Sequence, residues 1–210
     1  MMYYSASMNT LDESLMNAVK EGKLLESSRT NIRLLLDGTE SPIAREAVEE
    51  LAAAGEWQEL NDRFYKTLAF GTGGLRGRTI GSIVTRAEQG NGGVNGRPEY
   101  PCVGTACMNY FNVGRAMRGL IIYVNKHVEA TDPGRKPRLV IGHDTRHFSR
   151  DFAEFCAKIG TDLGCDIYLF DSPRATPEIS FAIRELHADS GVVLTASHNP
   201  SKYNGYKAYG

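Results

Sequence analysis

RLVIGHDTRHFSRDFAEFCAKIGTDLGCDIYLF, residues 138–170, holds the pattern that decides the fold. Its two ends, RLVIG (138–142) and CDIYLF (165–170), are short apolar runs without polar alternation, as expected of strands covered on both faces. Between them, Ser149 to about Leu163 reads as a helix. Working outward, a helix is expected around Met108 to His127 before this unit, and a helix around Pro177 to Leu186 and a strand GVVLT (191–195) after it. Helices alternating with such strands make βαβ units, so the expected class is α/β, with a mainly parallel sheet and helices on both faces.

Further upstream the chain changes character. Ser41-Pro42 is a cap followed by proline at the first helical position, Ile43, Ala47, Val48 and Leu51 recur at helical spacing, and Gly55 follows as a stop. A second helix is expected from Glu56 to about Leu68. FGTGGLRG, from Phe70 to Gly77, packs four glycines around one arginine, and residues 89–104 contain five glycines and two prolines, a composition for loop. A strand near Thr79 to Val84 is expected between the two glycine-rich stretches. The resulting organisation is a helical N-terminal extension over residues 1–54 and an α/β domain over residues 55–210.

Composition narrows the function. With 24 Lys+Arg against 25 Asp+Glu and 41% hydrophobic residues, the 210-residue chain reads as an ordinary globular protein. Its formal charge of −1 and lack of basic runs argue against nucleic acid as a partner. No secretory signal is legible at the N-terminus, and the longest apolar run, Leu120 to Val124, is too short to span a bilayer, so a cytoplasmic protein without membrane contact is expected. Cys102, Cys107, Cys156 and Cys165 have no CxxC spacing and no paired histidines at zinc-ligand distance, which favours reduced thiols.

Ligands of open α/β sheets gather at the carboxyl ends of the strands. Two polar segments leave those ends, GHDTRHFS (142–149) and TASHNPSKYNGYK (195–207), with the FGTGGLRG loop upstream. Ser197 stands just past a buried strand, beside His198 and Asn199, with Pro200 blocking continuation; this suits a nucleophile or phosphate carrier, while Ser and Asn also serve simply as turn formers. The thirteen residues after Ser197 include Lys202 and Lys207 and no Asp or Glu, a field suited to an anion. Arg76 and the backbone N–H groups of Gly71 to Gly77 would add to a phosphate site, the alternative being a tight structural turn. The loop is neither a Walker A motif nor GxGxxG. Asp144 and Arg146 read equally as a pair that fixes their own loop. His143, His147, His127 and His187 read as surface or capping residues, and Trp57, Tyr203, Tyr206 and Tyr209 as packing groups.

Taken in order, FGTGGLRG, GHDTRHFSRDFA and GVVLTASHNPSKYNGYK resemble the first domain of the α-D-phosphohexomutases, the phosphoglucomutase and phosphomannomutase superfamily. ELNDRFYKTLAFGTGGLRG looks most like the larger phosphoglucomutases and phosphopentomutases. The resemblance covers about residues 55–210 and leaves the first forty residues and the 89–104 stretch unmatched. It implies that Ser197 carries a phosphoryl group between the 1- and 6- (or 5-) hydroxyls of a sugar phosphate, through a sugar bisphosphate intermediate. It further implies Lys207 as general acid or base, Arg76 steering charge beside it, and His198 on sugar or phosphate. Gly73, Gly74, Arg146 and Asn199 would bind substrate or phosphate, and the Ser197 phosphate would be one ligand of a Mg²⁺ ion.

What the family has and this chain lacks matters as much. No aspartate-rich metal loop, sugar-reading loop or phosphate-clamping domain occurs within the 210 residues, so the chain is expected to be the N-terminal piece of a longer mutase, inactive alone, with the remaining domains C-terminal to Gly210. The strand-like NGYKAY before Gly210 is expected to leave a sheet edge unfinished. The alternative of another class is a non-catalytic phosphosugar-binding or regulatory module. A serine hydrolase built on Ser197 and His198 is weaker, because GxSxG is missing.

Overall fold

The computed structural model describes residues 3–71 and 73–210, with side chains from residue 10 onward except that of residue 72. Residues 1–68 and 80–107 form one compact unit, and residues 69–79 and 108–210 a second. These units cut the chain elsewhere than residue 54, because each is assembled from two separate stretches.

The first unit is helical: α1 (Tyr3–Lys20), α2 (Glu26–Asp37), α3 (Pro42–Ala53), α4 (Trp57–Phe64) and the one-turn α5 (Arg86–Gln89). Proline at the start of α3 has no N–H to leave unsatisfied, and Gly55, at φ 71°, takes the left-handed turn that follows the helix. Ala44, Ala47, Val48 and Leu51 are buried, giving α3 one apolar face, and Leu15, Ile32, Leu35, Leu60 and Phe64 are buried with them. Thr85 and Glu88 form a reciprocal capping box on α5.

Helix α4 ends at Phe64, short of the expected Leu68. The Thr105 segment takes over the groups beyond it: Ala106 donates its N–H to the Arg63 carbonyl, Leu68 donates to the Thr105 carbonyl, and the Thr105 hydroxyl donates to the Lys66 carbonyl. The expected strand at Thr79 to Val84 does not form either. Ser82 donates its N–H to Glu59 Oε1, and the Ile83 carbonyl accepts from Arg63 Nη2, so side chains replace a neighbouring strand as partners of this backbone. The strand of this region is β1 (Leu75–Arg78), inside the glycine-rich stretch.

The second unit holds α6 (Tyr110–Thr131), β2 (Arg138–His143), α7 (Ser149–Asp162), β3 (Asp166–Leu169), α8 (Thr176–Glu185), β4 (Ser190–Leu194), β5 (Tyr203–Tyr209) and β1. The sheet order is β1-β5-β4-β2-β3. The expected parallel core is β4-β2-β3, with Leu139 opposite both Ser190 and Ile167. Strands β5 and β1 extend it antiparallel, making the sheet mixed. NGYKAY is therefore no unfinished edge: β5 lies inside the sheet, with Tyr206 opposite Leu194 on one side and Leu75 on the other.

Helices cover both faces of the parallel part. Val140, Val193, Ile179 and Ala182 make a core under α8, where Gly142 and Gly191 allow close packing: a Cβ at Gly142 would lie 2.2 Å from Ile179 Cδ1. On the opposite face, the alternation of the pleat directs Leu139, Ile141 and Tyr206 towards α6 and α7, and the Tyr206 hydroxyl reaches Met117 Sδ at 3.5 Å. Among the described residues, no helix is long and apolar enough to cross a membrane.

Candidate active site

The carboxyl ends of the adjacent parallel strands β2 and β4 release the segments 144–148 and 195–202 side by side. Asp144, Thr145, Arg146, His147, Ser197 and Ser201 line an open cleft of about 370 Å³ there. Buried β4 carries the chain to Thr195, whose Oγ1 accepts the Ser197 N–H at 3.0 Å. This short turn brings Ser197 out to solvent in the left-handed region at φ 55°, a conformation that costs a residue with a Cβ about 1 kcal/mol or more. His198 Nδ1 lies 3.4 Å from Ser197 Oγ, a long contact, and among the described residues no carboxylate orients that imidazole. The hydroxyl is exposed and held, without the base geometry of a hydrolase.

The second wall is organised by Asp144. Its Oδ1 accepts the Arg146 N–H at 2.9 Å and the Ser149 hydroxyl at 2.6 Å, and its Oδ2 lies 3.5 Å from Arg146 Nε. Ser149 Oγ in turn accepts from Asn204 Nδ2 at 2.9 Å, which also donates to the His147 carbonyl at 3.0 Å. Arg146 therefore sits differently from the phosphate ligand expected of it. Its Nη1 donates to the carbonyls of Pro200 (2.9 Å) and Tyr203 (3.0 Å), and its Nη2 to those of Ser197 (2.7 Å) and Asn199. The reading of Asp144 and Arg146 as a pair that fixes a loop describes this geometry, except that the loop fixed is the one bearing Ser197.

The remaining candidates lie on β1 and β5. Arg76 stands opposite Gly205, and Lys207 lies two residues further along β5, so both project from the same face of the sheet about 7–8 Å apart by strand geometry. Glycine at 205 leaves room for the arginine stem: a Cβ there would meet Arg76 Cγ at 3.3 Å and the Thr195 carbonyl at 2.6 Å. Gly73 lies under the guanidinium, where a Cβ would stand 2.4 Å from Nη2. Gly74, at φ 92°, presses against the Tyr206 carbonyl and exchanges backbone hydrogen bonds with Gly71, so its N–H is not free for the phosphate expected there. Neither Arg76 nor Lys207 hydrogen-bonds Ser197, and among the described residues neither has a carboxylate partner, nor does Lys202. Beneath them, burial pushes the Tyr206 phenol well above its ordinary range, keeping it uncharged.

Two features escaped sequence reading. His143, taken for a surface or capping residue, is 2% exposed because it is the last residue of β2 and lies opposite Leu194. Asn204 and Ser149 form the scaffold behind the cleft; an asparagine inside a strand, where that residue type is disfavoured, was the available signal. The backbone oxygen of Asn199 is engaged by Arg146, while its buried side-chain Oδ1 has no partner among the described residues. No three His, Cys, Asp or Glu side chains converge among the described residues, so this donor set does not by itself make a Mg²⁺ site.

Comparison with known proteins bears on this site. Residues 86–210 match the family model described as phosphoglucomutase/phosphomannomutase, alpha/beta/alpha domain I. A phosphoglucomutase of Staphylococcus epidermidis is 37% identical over 153 residues, covering 73% of this chain and 23% of the relative. A phosphoglucomutase of Staphylococcus aureus is 34% identical over 152 residues, covering 72% and 22%. The chain thus spans less than a quarter of the length of these relatives. Among solved structures, a putative phosphomannomutase from Thermus thermophilus aligns with a TM-score of 0.47 and 27% identity, over 69% of this chain and 26% of that one.

Proposed function

This chain belongs to the phosphoglucomutase/phosphomannomutase family, as its match to domain I over residues 86–210 shows, and from that premise we propose that Ser197 is the phosphoryl carrier of a phosphosugar mutase. The observation that carries the reading is Ser197 itself: an exposed hydroxyl held at φ 55° beyond a buried strand, in a segment without carboxylates. The turn after it carries Lys202, and the strands β5 and β1 beyond carry Lys207 and Arg76, cations without a carboxylate partner among the described residues.

In the proposed step, the bond between phosphorus and Ser197 Oγ breaks as a sugar hydroxyl forms its own bond to phosphorus, and the hydroxyl proton passes to a base. Ser197 Oγ then takes the other phosphate back from the bisphosphate. Lys207 is the proposed acid or base, and Arg76 at its side would stabilise the developing negative charge. His198, Asn199 and the backbone around Gly73 are the proposed contacts to sugar or phosphate. Mg²⁺ would neutralise charge on the transferring oxygens. Its carboxylate ligands would have to come from outside the described residues, so no step runs through it. A sugar phosphate as the small-molecule partner fits a cytoplasmic protein.

The test is phosphorylation. The full protein encoded by this reading frame, incubated with a hexose 1,6-bisphosphate, is expected to gain one phosphoryl group on the peptide bearing Ser197, and the Ser197→Ala variant none. Saturable binding of a sugar phosphate with no label would support the non-catalytic module instead, the one alternative that the cationic site also fits. The 210-residue chain alone, which spans 23% of the S. epidermidis relative, is expected to show no mutase turnover. Conversion of glucose 1-phosphate to glucose 6-phosphate at enzyme rates would overturn that expectation.

A further inference from the structure

Arginines near phosphate sites usually act through their free N–H groups, and a guanidinium has five. In Arg146 all three nitrogens face protein acceptors: Nε faces Asp144 Oδ2 at 3.5 Å, and the two terminal nitrogens face the carbonyls of Ser197, Asn199, Pro200 and Tyr203. The side chain is 13% exposed, and Asp144, which accepts the Arg146 N–H as well, fixes the stem. These four carbonyls belong to the turn that begins at Ser197 and ends where β5 starts, so one cation ties its two ends together, while Thr79 holds the Lys202 carbonyl.

We infer that Arg146 is a positioning residue: its planar fork, not its charge, holds the 197–203 turn with carbonyls inward and the Ser197 hydroxyl towards the cleft. This rests on the reading of Ser197 as phosphoryl carrier and deepens it. The argument is geometric. Ser197 occupies a left-handed conformation that the free chain would leave, because its Cβ is disfavoured there. Something must over-determine that conformation. At its start the turn has two bonds of its own, the Ser197 N–H to Thr195 Oγ1 and the Asn199 N–H to the Ala196 carbonyl at 3.1 Å; at its far end the Tyr203 N–H donates to the Pro200 carbonyl at 2.9 Å, and the Thr79 N–H and hydroxyl donate to the Lys202 carbonyl at 2.7 and 3.0 Å. Arg146 adds the bonds to the carbonyls of Ser197 and Asn199 and ties them to those of Pro200 and Tyr203. It also engages four carbonyl oxygens that, left free, would repel an anion. A lysine carries the same charge but presents a point cation on a flexible stem, and does not span four acceptors in one plane.

The experiment uses the 210-residue chain, labelled with ¹⁵N and ¹³C, as wild type, Arg146→Lys and Arg146→Gln, with inorganic phosphate as the probe. Two quantities are read: amide exchange of residues 197–203 against that of β2 and β4, and the Arg146 Nε–Hε resonance during phosphate titration. Positioning predicts that Arg146→Lys raises exchange in the turn about 10- to 100-fold while β2 and β4 stay protected, as expected for the loss of charged hydrogen bonds from a locally ordered segment. It also predicts that phosphate shifts the amides of Ser197 and His198 and leaves the Arg146 resonance in place. The inference is overturned if the Arg146 resonance moves along the same saturation curve as Ser197, which would make it a phosphate ligand. It is equally overturned if Arg146→Lys keeps the turn as protected as wild type. Should Arg146→Gln not fold, the lysine variant and the wild-type resonance still decide. If phosphate shifts no resonance at all, turn exchange alone decides for Arg146, and the failure counts against the phosphoryl-carrier reading, which the labelling of Ser197 tests separately.

Discussion

At the scale of single residues, the site is a compromise between stability and a held hydroxyl. Ser197 at φ 55° is strained, and glycine would relieve that strain. Ser197→Gly is therefore expected to raise stability by about 0.5–1 kcal/mol, after the extra entropy that glycine loses on folding, while removing the hydroxyl proposed to carry phosphate. Urea denaturation of the two chains checks it; a loss of stability would show that the Ser197 side chain holds the turn. The serine, its histidine neighbour and the acid-free segment after it were all legible in the sequence, because chemistry at a strand end is local. The role of Arg146 was not, since its four acceptors lie 51 to 57 residues away in the chain.

At the scale of elements, the parallel strands are tied at the end away from the cleft. Asp189, one residue before β4, receives Arg135 in a two-point contact, Nη2 to Oδ1 at 2.6 Å and Nη1 to Oδ2 at 3.0 Å, and accepts the Arg138 N–H at the start of β2 at 2.8 Å. The hydrogen bond from Arg135, followed by the Arg138 N–H, holds this carboxyl below its ordinary value despite the opposing effect of burial. A depressed folded-state pKa means that the contribution is complete above the unfolded value, about 3.9, and is lost as pH falls through the lower folded one. Asp189→Ala is expected to cost about 1–3 kcal/mol near neutrality, and the gap to wild type should close in acid. Stability curves at neutral pH and below pH about 4 test this; a gap independent of pH would assign the loss to packing. Most elements here were readable because burial and periodicity are local, β2, β4 and α3 among them. The strand expected at 79–84 was not, since the Ser82 N–H and the Ile83 carbonyl take the side chains of Glu59 and Arg63 as partners, which no local pattern reveals.

At the scale of the whole molecule, the chain crosses between its two compact units after residues 68, 79 and 107, so the first unit must hold residues 80–107 against helices that precede them by tens of residues. Arg63, wholly buried, does this. Its Nε donates to Glu59 Oε1 at 2.8 Å, its Nη1 to Glu88 Oε1 at 2.5 Å and to the Val103 carbonyl at 3.3 Å. Removing one partner of such a cluster leaves buried charge uncompensated, so Arg63→Ala is expected to cost about 3–5 kcal/mol. Hydrogen exchange should show the loss in α4 and in residues 83–103; protection unchanged there would mean that apolar packing alone holds the excursion. The sequence by itself determined the α/β class, the order of helices and strands from Tyr110 onward, the family, and the position of the exposed serine, because each is written in periodicity, in strand-end chemistry or in a contiguous motif. Only the tertiary structure decided that β5 is an interior antiparallel strand, that residues 80–107 return to the N-terminal helices, and that Arg146 faces backbone carbonyls, because these depend on groups far apart in the chain being brought within hydrogen-bonding distance.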